Sequence, residues 1–567
     1  MGKGEELSIK FMRKKYWFSS LIIAIIFFGI FIRFWNLGNI PPGVHYDEAY
    51  NGIDALTANE TGDYKIFYSD NTGREGFHIN VIAFFINLLG NNNWGLRLAN
   101  AIWGSLTVIG FFFLLKELRF SRLSMAIGTF MIATSFWHLV FSRTAYRAIM
   151  VPLILVWTFY FFWKAINVSF QKDSQEKGEK RKSLIYFAVS GLLLGLGFHT
   201  YIAFRVAPLI LVILGISFVL TKKGFFARHK TSILVFVAAS FLSALPLFLY
   251  FSSHFQEFLY RSSSVSVFNT PNTTFIQAFS KSIGNHLWAF FVSGDRNPRH
   301  NFNSQPLLPA AWSVLFAIGF IISVKEIGKK LFSSLKKEKG DAEDNQWFYV
   351  SVLSQATFWI MLLPGVLSAE GVPHSLRIIG AIPAVFILCT LPIEYIQSFW
   401  KNVKNNEIFQ KKLWSNKFTT IFLGLIIMVI FGGFSQVFIY FYNWPKEVGT
   451  LGAYERKLFN LGLLVHDLPV HENNYLITAF NAFITSDRKQ SSLKTTEYIS
   501  YPKIKNYIFY RPMDGKSEIS CIDPQLVFQE SDQWLRDQYR EKCPDLKAKR
   551  YNFDNGKYTF WVMSQNP

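Results

Sequence analysis

Two neighbouring carboxylates, Asp47 and Glu48, follow a proline pair at the end of the first long apolar run of this 567-residue chain. Pro41 and Pro42 stop a helix and favour extended backbone, so the two acids are expected at the start of the next short helix. A carboxylate placed there can act as a general base that takes a proton from an attacking hydroxyl. The alternative is a helix N-cap in which the acids only complement the helix dipole, and the residue types alone favour that alternative.

A second group of charged residues begins at Arg74 and Glu75, with His78 close behind them. A guanidinium donates paired hydrogen bonds to a phosphate, so Arg74 is predicted to bind an anion. The alternative is an interfacial arginine whose side chain only reaches for water. Arg143 and Arg147 lie four residues apart, and in a helix they would share one face and form a further anion site. Glu75 and His78 are interpreted as substrate-binding residues.

The remaining polar candidates share one property, which is that each lies near the boundary of an apolar run. Polar groups at such a boundary are reasonable functional candidates. Arg296 and Arg299 flank a proline and are predicted to bind the same anion, although a solvated turn is an equal alternative there. The candidates for substrate binding are His199, Tyr201, Asp295, His300, His374 and Arg377.

The apolar residues that must position these groups are collected in runs of roughly 18 to 24, each long enough to cross a hydrocarbon core of about 30 Å. Half of the residues are hydrophobic and only 17% are charged, which is too little charge to cover a soluble protein of this size. The formal net charge is +20, but the basic residues lie in short clusters between the apolar runs, where they set membrane topology. Nucleic-acid binding is therefore rejected, and an all-α polytopic membrane protein is predicted.

Eleven membrane spans fit the pattern of apolar runs and basic loops. They are predicted at 17–35, 95–115, 123–141, 146–165, 184–202, 204–220, 232–251, 307–324, 347–367, 377–399 and 418–441. The run at 77–90 would form a helix of only about 21 Å, and counting it as a span would reverse the positive-inside pattern of every later loop. It is therefore predicted to lie in the outer interface. The chain is assigned to the plasma membrane as a multi-pass protein with a cytoplasmic N-terminus.

This topology predicts a transmembrane domain at 1–442 and an extracytoplasmic C-terminal domain at 443–567. The two large outer loops, at 36–94 and 252–306, hold most of the polar candidates. The C-terminal domain is predicted to be a small α/β domain. Its predicted elements are strands at 475–480, 507–510 and 558–563 and a helix at 532–542.

Cysteine use is sparse, with three in the chain. Cys389 lies in an apolar run and is predicted to be inert. Cys521 and Cys543 lie in the C-terminal domain and can form a disulfide if that domain faces an oxidising compartment. The sequence leaves open whether they do.

Taken in order, the polar motifs resemble bacterial members of the dolichyl-phosphate-mannose protein mannosyltransferase family, over roughly residues 15–400. The resemblance is carried by Pro41-Pro42-Gly43 through Asp47-Glu48-Ala49, Gly73-Arg74-Glu75, Ser142-Arg143 to Arg147, Gly294-Asp295 to Asn301, and Pro373-His374 to Arg377. That family has the C-type glycosyltransferase fold and is related to the lipid A aminoarabinose transferases. The chain departs from the family pattern at Gly76, where relatives usually have proline.

The resemblance implies a glycosyltransferase that moves a hexosyl or pentosyl group from a polyprenyl-phosphate donor to a hydroxyl acceptor on the extracytoplasmic side, with inversion at the anomeric carbon. The acceptor is a protein, a lipid or a cell-envelope glycan. Asp47 is implied as the base, Glu48 as a residue that places donor or acceptor, and Arg74 as the ligand of the lipid phosphate. Further phosphate-binding residues are expected among Arg143, Arg147, Arg296 and Arg299.

Two other functions remain as alternatives, and no cofactor is assigned. A transporter or flippase for a lipid-linked sugar is disfavoured because the polar groups lie at one boundary and the chain has no internal repeat. A non-catalytic membrane scaffold stays open. No set of metal-ligating residues is recognised, so a divalent metal is possible but has no support in the sequence.

Overall fold

The computed structural model describes residues 3–169, 177–222, 224–264, 274–335, 346–404, 412–477, 493–510, 519–530 and 534–567. Within these ranges the chain is mostly helical and has two small sheets. Nine of the helices in these ranges are long and apolar enough to cross a membrane, judged by length and composition. The predicted architecture of a helical, multi-pass membrane protein is therefore confirmed.

The helices in these ranges, labelled in chain order, are α1 (Lys3–Phe34), α2 (Tyr46–Thr61), α3 (Gly76–Leu89), α4 (Asn93–Glu117), α5 (Arg122–Thr134), α6 (Phe136–Phe141), α7 (Met150–Ser169), α8 (Lys177–Gly197), α9 (Pro208–Thr221), α10 (Phe225–Ser253), α11 (Phe255–Ser264), α12 (Phe275–Trp288), α13 (Ala310–Leu335), α14 (Gln346–Val366), α15 (Ile382–Lys404), α16 (Lys412–Phe438), α17 (Val448–Ala453), α18 (Arg456–Asp467), α19 (Leu493–Ser500) and α20 (Trp534–Lys542). The strands are β1 (Phe67–Tyr68), β2 (Arg74–Glu75), β3 (Asn473–Ile477), β4 (Tyr507–Tyr510), β5 (Pro524–Gln529), β6 (Lys547–Phe553) and β7 (Tyr558–Ser564).

Two of the eleven predicted spans differ from the nine apolar helices. The span predicted at 123–141 is divided into α5 and α6, because Ser135 ends the first helix and caps the second with its hydroxyl, which accepts from the backbone N–H of His138. The span predicted at 184–202 coincides with α8, whose first turns are strongly charged. The apolar part of α8 is therefore short.

The run predicted to lie in the interface forms α3, a helix of 14 residues. At 1.5 Å per residue this helix is about 21 Å long, which is less than the roughly 30 Å of a hydrocarbon core. A short apolar helix at this place is as predicted.

The chain forms two compact units. The first comprises Met1–Leu37, Lys65–His78 and Arg97–Trp444. The second comprises Gly38–Tyr64, Ile79–Leu96 and Pro445–Pro567. The second unit therefore combines α2, from the first large loop, with the C-terminal part of the chain.

A five-stranded mixed sheet forms the core of the C-terminal part, in the order β4-β3-β5-β7-β6. Strand β3 pairs in parallel with β4 and β5, whereas β7 pairs antiparallel with β5 and β6. The strands predicted at 507–510 and 558–563 and the helix predicted at 532–542 correspond to β4, β7 and α20. Strands β5 and β6 were not predicted, and the prediction at 475–480 extends beyond the described residues after Ile477.

Helix α2 packs against α19 within the second unit. Gly52 lies at this contact, and a Cβ atom added there would lie 2.3 Å from the ring of Tyr498. The hydroxyl of Thr495 donates a hydrogen bond to the carbonyl of Val44 at 2.9 Å, just before α2 begins. Residues of the C-terminal part therefore hold the helix that carries Asp47.

Candidate active site

The two predicted catalytic acids have different environments at the start of α2. His45 is the N-cap, and the backbone N–H of Asp47 donates to its Nδ1 at 3.0 Å. The Oε2 of Glu48 accepts from the backbone N–H of His45 at 3.2 Å, and the whole Glu48 residue is buried. Glu48 therefore completes a capping box, as the structural alternative predicted. The Asp47 side chain is 31% exposed, so of the two acids it is the one that reaches solvent.

In the first unit, the buried carboxylate of Glu75 lies against two guanidinium groups. The Nε of Arg147 donates to its Oε2 at 2.8 Å, and an Nη of Arg205 lies 3.9 Å from its Oε1. Arg147 also donates to the carbonyl of Gly73 and packs over the ring of Tyr201 at 5.4 Å. Glu75, Arg147, Arg205 and Tyr201 are called the Glu75 cluster below. The formal charges of Glu75, Arg147 and Arg205 sum to +1, which favours binding of an anion.

Arg74 lies beside this cluster in the chain, in the two-residue strand β2. Its side chain is buried, and its Nε donates to the carbonyl of Asp70 at 3.3 Å. The tight turn before β2 needs a glycine, because Gly73 has φ +85 and a Cβ atom there would lie 2.6 Å from the ring of Phe67. Successive side chains of a strand point to opposite faces, so Arg74 and Glu75 face different surroundings.

His78 lies in the first turn of α3 and is completely buried. Burial, together with the positive charge of Arg147, lowers the pKa of His78 from 6.5 to about 3. The imidazole is therefore neutral at physiological pH. Because the His78 side chain has no exposed surface, it does not line an open surface.

Arg143 and Arg147 do not share a helical face, because residues 142–146 are not helical. The Nη1 of Arg143 donates to two backbone carbonyls at the end of α1, each at 2.8 Å. Its Nε donates to the hydroxyl of Tyr440 at 3.2 Å. The prediction of one anion site made by both arginines on one helical face was therefore wrong.

Arg33 is a buried charged residue that sequence reasoning missed. It lies in the apolar helix α1, and its Nη1 donates to the carbonyls of Gly29 and Ala133 at 2.6 and 3.0 Å. Its Nη2 lies 2.6 Å from the Nδ1 of His138. A charged side chain inside an apolar span is a functional candidate by default, and that signal was present in the sequence. Arg33, His138, Arg143 and Tyr440 are called the Arg33 cluster.

Asp295 and His300 form a buried pair between α12 and α13. The Nδ1 of His300 lies 3.0 Å from the Oδ2 of Asp295, and the same oxygen accepts from the backbone N–H and hydroxyl of Ser375 at 2.8 and 2.7 Å. The other oxygen, Oδ1, accepts from the backbone N–H of Asn297 at 2.8 Å. Burial raises the pKa of Asp295, but the hydrogen bond and charge of His300 outweigh it, so the pKa lies below its usual value. Asp295 is therefore a carboxylate.

His374 lies beside this pair, with its ring centroid 5.1 Å from that of His300. Its Nδ1 is buried and has no hydrogen-bond partner among the described residues. Burial lowers the pKa of His374 well below its ordinary value, so the ring is neutral. Its backbone N–H donates to the Nε2 of His286 at 3.2 Å. Asp295, His300, His374 and Ser375 are called the Asp295 cluster.

The other predicted site residues lie outside these clusters. Arg377 pairs with Glu370 at 2.7 Å, and the Glu370 side chain is 70% exposed. Arg296 is exposed, whereas Arg299 is half-buried and folds back onto its own turn. The Nε2 of His199 lies 3.1 Å from a backbone carbonyl of α10. The structure does not assign these four side chains to one pocket.

Sequence reasoning gave no role to His286 or Ser375. Arg205 follows Tyr201 at the boundary of an apolar run, where a functional role is a reasonable default, and the structure places it against Glu75. His286 and Ser375 are isolated residues without a motif, so their contacts with the Asp295 cluster depend on tertiary packing.

Residues 76–259 match the family described as dolichyl-phosphate-mannose-protein mannosyltransferase. This segment includes Arg143, Arg147 and Arg205 but neither Asp47 nor Asp295. A comparison with curated proteins found no match.

Two solved structures are similar to the chain over nearly its whole length. ArnT from Cupriavidus metallidurans in the apo state is 13% identical, with 97% of this chain and 98% of that chain covered and a TM-score of 0.49. The archaeal oligosaccharyltransferase AglB from Archaeoglobus fulgidus, in complex with an inhibitory peptide and a dolichol-phosphate, is 12% identical, with 96% and 74% covered and a TM-score of 0.53. At these identities the likeness to AglB concerns the fold alone. Over residues 76–259 the chain resembles a family of glycosyltransferases that use lipid-phosphate sugars, as its motifs had indicated.

Proposed function

We propose that the chain is a membrane glycosyltransferase that moves a sugar from a polyprenyl-phosphate donor to a hydroxyl of a protein, lipid or cell-envelope glycan. The observation that carries the proposal is the family match over residues 76–259, because that segment supplies both arginines of the buried Glu75 cluster. A buried cluster with excess positive charge suits a lipid phosphate and has no obvious use in a passive scaffold.

The donor phosphate is the leaving group in this proposal. Negative charge develops on its bridging oxygen as the bond to the sugar breaks, and guanidinium groups that are already in place stabilise that charge without reorganisation. Arg147 and Arg205, which share the carboxylate of Glu75, are the proposed ligands, whereas Arg74 and Arg143 donate to other partners. Glu75 keeps Arg147 in one orientation through the 2.8 Å hydrogen bond.

Asp47 is the proposed base. The sugar passes through an oxocarbenium-like state, and a carboxylate on the side opposite to the leaving group both takes the acceptor proton and stabilises the positive charge. Attack from that side inverts the anomeric carbon. Glu48 is proposed to hold Asp47 in place by closing the capping box of α2.

The proposed topology has eleven spans, a cytoplasmic N-terminus and an extracytoplasmic C-terminal part. The C-terminal part supports this orientation, because Cys521 and Cys543 form a disulfide with a Cα–Cα distance of 5.6 Å. Disulfides persist in oxidising compartments and are rare in the cytosol. On this topology the first large loop, which carries Asp47, lies on the same outer side.

The test is sugar transfer by purified protein in lipid nanodiscs, with a polyprenyl-phosphate sugar as donor and the product followed by mass spectrometry. Asp47→Asn should lower turnover by about 10²–10⁴-fold and leave donor binding unchanged. Glu60→Gln is the matched control, since Glu60 lies on the same helix but pairs with the exposed Lys505, and it should keep full turnover.

Two results would contradict the proposal. Full turnover in Asp47→Asn would remove Asp47 as the base. A wild-type protein that transfers no sugar but carries labelled lipid-linked sugar across a vesicle membrane would instead establish the transporter alternative.

A further inference from the structure

Three buried side chains in the first unit offer metal ligands at close range. Asp295 and His300 come from the loop after α12, and His374 comes from the loop after α14. One ligand atom of each lies within 4.8 Å of the others. The two loops are far apart in sequence, so the fold brings the three groups together.

The donor set matches a known class of metal chemistry. Two imidazoles and one carboxylate are the protein ligands of many open zinc sites, in which a water molecule completes a tetrahedron. Imidazole nitrogen also binds other divalent transition metals well, whereas Mg²⁺ and Ca²⁺ prefer oxygen ligands only. The composition therefore favours zinc or a similar ion over the alkaline-earth ions.

The second observation is the state of His374. A buried polar atom without a hydrogen-bond partner is costly and usually has a functional reason. His374 is about nine-tenths buried, and its Nδ1 has no hydrogen-bond partner among the described residues. Lone-pair donation to a metal ion would satisfy this nitrogen.

The surroundings of Asp295 also suit a metal ligand. Its Oδ2 is held by both donors of Ser375 and lies 3.0 Å from the Nδ1 of His300, and its Oδ1 accepts a hydrogen bond from the backbone N–H of Asn297. Hydrogen bonds of this kind orient the ligating carboxylate in metal sites. Zinc lies about 2.0–2.2 Å from nitrogen and oxygen ligands, so small side-chain rotations would bring the three ligand atoms around one ion.

We propose that Asp295, His300 and His374 bind one divalent transition-metal ion, with zinc as the expected occupant and a water molecule in the fourth position. The site does not depend on the proposed transfer reaction. It is made by residues of the first unit alone.

The test measures metal content and spectra without any sugar substrate. Full-length protein in nanodiscs is stripped with a chelator, loaded with Zn²⁺ and dialysed, and its zinc is quantified by mass spectrometry. About one zinc per chain is expected. Cobalt loading should give the visible absorption of tetrahedral Co²⁺, and added zinc should raise the melting temperature by mass action.

His374→Ala is the informative variant, because the ring it removes makes no hydrogen bond through Nδ1. This variant should have the same size-exclusion elution volume and melting temperature as the stripped wild type. It should bind no zinc, and added zinc should not raise its melting temperature. His471→Ala is the matched control, because His471 forms an Asp–His pair with Asp523 at 2.7 Å and has no third metal ligand beside it in the described ranges. This control should keep about one zinc per chain.

Two outcomes would overturn the site. One is wild-type protein that loses its zinc on dialysis, and the other is a folded His374→Ala protein that retains it. A protein that binds zinc as expected but transfers no sugar would leave the metal site standing and remove only the proposed function.

Discussion

The Nε of Arg147 donates to the Oε2 of Glu75 at 2.8 Å, and both side chains are buried. The two residues are 72 positions apart, so their pairing exists only in the folded chain. The Nη2 of Arg205 lies 3.9 Å from Oε1, the other oxygen of the same carboxylate. Glu75 therefore joins the two arginines to which we assign the donor phosphate.

Neutralising this carboxylate should destabilise the protein. In Glu75→Gln, the buried Arg147 and the half-buried Arg205 lose the negative charge between them, and we expect the free energy of unfolding to fall by about 1.5–3 kcal/mol. Glu370→Gln is the control, because the Glu370 side chain is 70% exposed and ion pairs of exposed carboxylates contribute about 0–1 kcal/mol. Thermal unfolding of both variants in the same detergent gives the comparison. Equal melting temperatures would show that Glu75 is not needed to balance the cluster.

A methyl group at Gly52 should disturb α2 through its contact with α19. The added Cβ atom of Gly52→Ala would lie 2.3 Å from the ring of Tyr498, and overpacking of this kind costs about 1–3 kcal/mol. Because α2 carries Asp47, turnover should fall together with the melting temperature. Gly452→Ala is the control, since nothing lies within 4 Å of a Cβ atom at that glycine. Identical behaviour of the two variants would contradict the close α2–α19 packing.

The buried His78 should make stability depend on pH. Its pKa is lowered from 6.5 to about 3, so below pH 6.5 the unfolded chain binds a proton that the folded chain excludes. The stability it contributes is present above pH 6.5 and is lost as the pH falls from 6.5 towards 3, with a slope of up to about 1.4 kcal/mol per pH unit. His78→Gln cannot take up this proton, so its melting temperature should fall less steeply between pH 7 and pH 5. Parallel curves for the two proteins would rule out a contribution from His78.

The disulfide between Cys521 and Cys543 reports the compartment of the C-terminal part. In intact cells, a membrane-impermeant maleimide should label these thiols only after an impermeant reductant has been added. Cys389 is buried and should remain unlabelled in folded protein, which makes it an internal control. Labelling that requires permeabilised membranes would place the C-terminal part in the cytoplasm and contradict the proposed orientation.

Removing the same disulfide should also weaken the C-terminal part. The two cysteines are 22 residues apart. A cross-link that closes a loop of this size typically raises the free energy of unfolding by about 2–4 kcal/mol. The double variant Cys521→Ser with Cys543→Ser should therefore be more sensitive to proteolysis within its C-terminal part. Unchanged proteolysis with and without reductant would show that the cross-link is not needed there.

Local patterns of the sequence were sufficient for most of the elements. The strand predicted at 507–510 coincides with β4, and the short apolar run at 77–90 forms α3 as predicted. The break at Ser135 was missed, because hydropathy over a long window does not register one residue that caps a helix. Strand β6 was missed because its alternating charged residues belong to an exposed edge strand and resemble a loop in composition.

The candidate site was predictable only in part. Arg143 and Arg147 are close in sequence but bind different partners, because the chain between them is not helical. Asp295 and His374 are distant in sequence but belong to one buried cluster. Spacing along the chain predicts a shared site only within one regular element.

By itself, the sequence determined that the chain is a multi-pass membrane protein with strands in its C-terminal part and that its polar candidates lie at the ends of apolar runs. Only the tertiary structure decided which of them meet: Glu75 with Arg147 and Arg205, and Asp295 with His300 and His374. The reason is physical. The periodicity and length of an apolar run report the environment of one segment, whereas a contact between buried side chains depends on how distant segments pack.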